Sequence, residues 1–145
     1  MRPILTYLAM LVLVLAVTSM CVADISEPSE QEYGAVNRKV YELAAQAERI
    51  YGLPRERLPR LTLNEMVVDY DALTRCSDWE IVVDVRLIHE DLPFVLNTLL
   101  PHEYAHLVQC WQGGGRIYEE LHGKNWSRIS LSLGGPGTDH YRRTL

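Results

Sequence analysis

Leu99-Leu100-Pro101-His102-Glu103-Tyr104-Ala105-His106-Leu107-Val108-Gln109-Cys110 carries two histidines four residues apart, with a glutamate directly after the first. On a helix, residues four apart lie on one face, a turn above each other. Two imidazoles so placed reach one metal ion. The glutamate then stands beside it, able to hold and deprotonate a metal-bound water. Leu99, Leu100, Ala105, Leu107 and Val108 give the apolar flanks of a half-buried helix. The stretch therefore predicts a helix with His102 and His106 as ligands of one zinc ion and Glu103 as general base. A pattern this short also arises by chance. Its weight comes from a second cluster, Leu121-His122-Gly123-Lys124-Asn125-Trp126, that follows it.

A catalytic zinc usually takes three protein ligands and keeps one position open. Gly113-Gly114-Gly115 should end the helix near Gln112 and let the backbone reverse. His122 then arrives just before a short helix predicted at about 124–133, and Gly123 allows close backbone approach. His122 is the leading third ligand, with Glu119 and Glu120 as rivals and a Cys110 thiolate as a remote alternative. Asn125-Trp126-Ser127 matches a glycosylation sequon, but a glycan there would crowd His122, so it is read as chance or as unused by the host.

Outward from this core, 145 residues suit one domain. Met1-Arg2 precedes an uncharged run, 3–23, with an apolar centre at 4–17, which reads as a signal peptide ending at Cys21-Val22-Ala23. The alternatives are an uncleaved membrane anchor over 4–23 and lipidation of Cys21. Removing 1–23 loses only Arg2, so the net charge goes from −5 to −6. An acidic domain with no basic cluster longer than Arg142-Arg143 repels phosphate backbones, so no nucleic-acid partner is expected. After cleavage two cysteines remain, and an exported chain would allow a Cys76–Cys110 disulfide. Reduced, buried thiols are the alternative.

Between leader and motif, Ser29-Glu30-Gln31-Glu32 is a capping box. The helix after it should run to about Tyr51, burying Tyr33, Val36, Val40, Leu43, Ala44, Ala47 and Ile50, and should stop at Gly52 and Pro54. Residues 61–63 and 66–70 read as strand, 71–78 as a polar turn, and 79–85 as a strand alternating Ile81, Val83 and Val85 against Glu80, Val82 and Asp84. A small antiparallel sheet is expected, and the 79–85 strand is the one expected to offer an edge to an extended peptide. His89 reads as a surface or loop histidine. Asp91 should cap a helix starting at Leu92-Pro93. Pro101 falls inside it, at a cost of about 3 kcal/mol for an interior proline, so a kink or a fresh helix start is expected at 100–101.

His102-Glu103-Tyr104-Ala105-His106-Leu107, then His122-Gly123-Lys124-Asn125-Trp126, then Leu133-Gly134-Gly135-Pro136 and His140, resemble the core of the SprT-like family, which includes the bacterial SprT proteins and the eukaryotic protease Spartan. The likeness covers roughly 82–141. It implies an α+β, zincin-like fold: an N-terminal helix, a small sheet, the HExxH active-site helix, and a short helix after the third ligand. It also implies Zn2+ on His102, His106 and His122, Glu103 as base, and hydrolysis of a protein or peptide substrate. His140 and Tyr141 are candidate oxyanion donors. The leader, and the lack of a zinc-ribbon or DNA-binding region after the core, set the sequence apart from intracellular relatives, so their DNA-linked role is not expected. The expectation is an exported zinc metalloendopeptidase over 24–145, periplasmic or extracellular. A zinc amidase acting on peptidoglycan and a non-catalytic zinc-held binding module are the alternatives.

Overall fold

The computed structural model describes residues 27–64, 70–114 and 120–139. The leader expected at 1–23, most of the strand expected at 66–70, Glu119, His140 and Tyr141 lie outside them.

The first helix, α1 (Glu30–Tyr51), starts as its capping box dictates. The Ser29 hydroxyl accepts from the Glu32 amide, and the Glu32 carboxylate accepts from the Ser29 amide at 2.8 Å. Gly52 ends it in the left-handed region, φ 69°, donating its amide to the Glu48 carbonyl. Val36, Val40, Leu43, Ala44 and Ala47 are buried as expected, while Tyr33 and Ile50, at the stripe's ends, are exposed.

Three strands follow, β1 (Arg60–Asn64), β2 (Ala72–Arg75) and β3 (Glu80–Asp84), in the order β1-β3-β2. The sheet is mixed, which corrects the antiparallel expectation. β3 pairs antiparallel with β2 (Thr74↔Ile81) and parallel with β1 (Leu61↔Ile81). The short 76–79 turn makes β2 and β3 antiparallel neighbours, and β1 takes the other flank of β3, parallel to it. Two further readings are corrected. β2 lies inside the stretch read as a polar turn; its Ala72 and Thr74 are half-buried while Leu73 and Arg75 are exposed, an alternation that apolar patterning does not mark. β3 is central, with both edges paired, so it offers no edge to a peptide; among the described residues β1 and β2 are the outer strands.

All five β3 residues are buried. Ile81 and Val83 join the apolar core. On the other face the Glu80 carboxylate meets Arg60 (3.0 Å), Arg75 (3.1 Å) and the Thr62 hydroxyl (2.6 Å), so side chains of the flanking strands cover it. Trp79 closes the β2–β3 turn at φ 52°, a conformation a bulky residue rarely takes. Its indole donates to the Arg57 carbonyl at 2.8 Å and the Arg57 guanidinium stacks on its ring at 4.2 Å.

β3 runs directly into α2 (Val85–Glu90), capped by Asp84, where residue 85 had been read as strand. His89 sits on this helix, exposed, 3.4 Å from a Glu32 carboxylate oxygen. Asp91 caps the next segment, accepting from the Phe94 amide at 2.9 Å. That segment is a short turn α3 (Leu92–Phe94), a wider π-helical turn (Val95–Leu99), and then α4 (Leu100–Gln112). The π turn answers the proline problem. The Leu100 amide reaches back five residues to the Val95 carbonyl, and Pro101, which has no amide to donate, falls in the first turn of α4. α4 is the hub of the fold, packing on α1, β2 and the last helix, α5 (Lys124–Ser132). From Leu100 to Cys110 every residue of α4 is buried. Among the described residues no helix is long and apolar enough to cross a membrane.

Candidate metal centre

α4 places His102 and His106 one turn apart, and the segment before α5 brings His122 to them. The Nε2 atom of His122 lies 3.1 Å from that of His106 and 3.2 Å from that of His102. Among the described residues this trio is the one group of side chains able to hold a metal ion, and Glu120 is not part of it. Hydrogen bonding alone explains the trio poorly, because a neutral imidazole has one N–H to share. A tetrahedral ion with metal–nitrogen distances of about 2.0–2.1 Å separates its nitrogens by roughly 3.3–3.4 Å. The observed spacing is close to that, so the residues fit an ion.

The centre disfavours the charged forms of His102 and His106. Burial pushes His102 down to about 3, helped by the neighbouring His106 and His122. Burial likewise pushes His106 down to about 4, against the opposing hydrogen bond of Gln109. Neutral imidazoles keep the lone pairs a metal needs. The partners on the far ring nitrogens aim them. His106 Nδ1 lies 3.1 Å from Gln109 Oε1, an acceptor, which fixes the proton on Nδ1 and turns Nε2 inward. His122 Nδ1 lies 3.5 Å from Asp139 Oδ2. Trp126 is fully buried behind all three rings, with centroids 4.6, 5.6 and 4.7 Å from those of His102, His106 and His122, and its indole N–H points at the His102 carbonyl at 3.4 Å.

Glu103 sits beside the trio, its Oε1 3.8 Å from His102 Nε2. Burial raises its carboxyl to about 7, although a hydrogen bond from Thr74 works the other way. The Thr74 hydroxyl lies 2.6 Å from Glu103 Oε2 and 3.0 Å from the Glu103 carbonyl oxygen. All of this opens on a cleft of about 560 Å³ lined by β2, by the three histidines with Glu103, and by Tyr70, Asp71, Leu121 and Asp139. Cys76, just after β2, is disulfide-bonded to Cys110 near the end of α4, with Cα atoms 5.7 Å apart. The bonded Cys110 sulfur is therefore no thiolate ligand.

Of the residues singled out from sequence, His102, Glu103, His106 and His122 come together in one place, and Cys76 meets Cys110. Thr74, Gln109, Trp126 and Asp139 take parts that the sequence reading did not give them. Gln109 was legible in principle, since a position three after His106 shares its face. Thr74 and Asp139 carry no local signal, because their place depends on strand order and on the chain's path after α5. No protein-family model matches the sequence, and no curated protein or solved structure is significantly similar to it.

Proposed function

We propose that the protein is a zinc-dependent metalloendopeptidase of SprT-like, zincin-like type, acting after export. The observation that carries this reading is the buried carboxylate of Glu103 set beside three converging imidazoles at the floor of an open cleft. Three imidazole nitrogen donors would suit zinc, which in catalytic sites usually keeps a fourth position open for water. When bound, zinc lowers the pKa of its water to about 7 and polarises a substrate carbonyl.

The chain's own residues do the rest. His102, His106 and His122 would hold the ion, while Gln109 and Asp139 lie at the far nitrogens of His106 and His122 and would orient them. Glu103 takes the proton from the attacking water and delivers it to the departing amine. An extended peptide can lie along the outer edge of β2, which lines the cleft. The disulfide fits a chain that folds in an oxidising compartment.

The test compares wild type with Glu103→Gln on an unfolded protein such as casein. The variant is expected to keep about one zinc per chain and to lose at least a thousandfold in kcat/KM. Unchanged cleavage by the variant would overturn the assignment. Purified cell wall digested in place of casein would favour an amidase instead. Mass spectrometry of the exported chain is expected to find an N-terminus at or near Asp24.

A further inference from the structure

The two oxygens of the Glu103 carboxylate have different neighbours. Oε2 receives the Thr74 hydroxyl at 2.6 Å. Oε1 is turned toward the histidines, 3.8 Å from His102 Nε2. With one oxygen held on the strand side, the other is the one presented to the centre. We propose that Thr74 is the positioning residue of Glu103, fixing which carboxylate oxygen faces the metal and the substrate. This rests on the metallopeptidase reading of the site.

The construction around Thr74 is stiff. Its β-branched side chain has restricted rotation about χ1. Its backbone is held in β2, opposite Ile81 of the central strand. Two residues on, Cys76 is bonded to Cys110, two helical turns beyond Glu103 on α4. The strand and the helix are thus joined covalently near the point where the hydroxyl meets the carboxylate. A buried carboxylate without that donor would be free to rotate about its last torsion, which has a broad energy profile. Geometry lost in this way appears in the catalytic step more than in binding.

The experiment uses the full, zinc-loaded chain and three variants: Thr74→Val, which keeps the shape without the hydroxyl; Thr74→Ala, should valine disturb folding; and Thr74→Ser, which restores the hydroxyl. Zinc content, melting temperature, kcat and KM on casein are measured for each, with crystal structures of wild type and of one hydroxyl-less variant. Loss of the hydroxyl is expected to leave zinc content unchanged and KM within about twofold, while kcat falls ten- to a hundredfold. Serine should recover most of that loss. In the variant crystal the Glu103 carboxylate should be rotated from its wild-type position. A hydroxyl-less variant with wild-type kcat, a serine variant as impaired as valine, or an unmoved carboxylate would each overturn the proposal. If wild type cleaves no peptide, the metallopeptidase reading fails, and the carboxylate position still decides whether Thr74 orients Glu103.

Discussion

Glu80 shows how a single buried charge is made tolerable. Its carboxylate is held below its ordinary value, chiefly by the Thr62 hydroxyl and then by Arg60 and Arg75, with burial acting in opposition. A carboxyl depressed in the folded state contributes stability that is complete above its unfolded value, about 4.5, and is lost as pH falls through the folded one. Glu80→Gln is expected to destabilise the domain by about 1–2 kcal/mol at pH 7. The gap from wild type should narrow as the pH is lowered below about 4.5. Urea titrations of both proteins at pH 7 and pH 4 check this. His102 and His106 show the opposite arrangement, in which burial is the largest influence and acts against the charge.

At the scale of elements, what mattered was how the chain handles Pro101 and the residues behind it. The helices were largely legible. The Ser29–Glu32 box, Gly52, Asp91, the glycine run after Gln112 and Gly123 ahead of α5 are local signals, and each helix begins or ends beside one of them. The sheet was less legible. Alternation marks a strand but not its partner, so residues 79–85 were read as an edge when β3 in fact lies at the centre. Polar Asp71 and Arg75 masked β2 altogether. Gly135 is a further device that sequence does not reveal. A Cβ there would stand 2.8 Å from the Pro101 Cβ and 2.7 Å from the Ser130 hydroxyl. Neither neighbour can readily retreat, since Pro101 is rigid at the start of α4 and Ser130 is hydrogen-bonded to the Pro136 carbonyl. Gly135→Ala is expected to lower stability by about 1–3 kcal/mol through overpacking. A drop of several degrees in the melting temperature would show it, and an unchanged value would count against the contact.

For the molecule as a whole, the centre links parts that the backbone keeps apart. His102 and His106 lie within the covalent ring closed by Cys76 and Cys110, and His122 lies outside it, ahead of α5. An ion held by all three would join α5 to that ring. A ligand that binds only the folded state at about a hundred times its dissociation constant adds about 2.7 kcal/mol. For a domain of this size that corresponds to roughly 10 °C in melting temperature. Chelation is therefore expected to lower the midpoint by about that much, and added zinc to restore it; a scan that does not move with chelator would count against a structural share for the ion. The candidate site was legible as far as the HExxH spacing and the following His-Gly allowed, because ligands near in sequence announce themselves. Its supporting residues were not, because only the folded chain brings them near. Trp126 gives this centre an optical property of its own. Its indole is fully buried against all three imidazoles, whereas Trp79 and Trp111 are partly exposed. Its fluorescence should therefore be blue-shifted relative to theirs and quenched by a paramagnetic ion such as cobalt or copper, so that occupancy of the centre can be followed in dilute solution without a label.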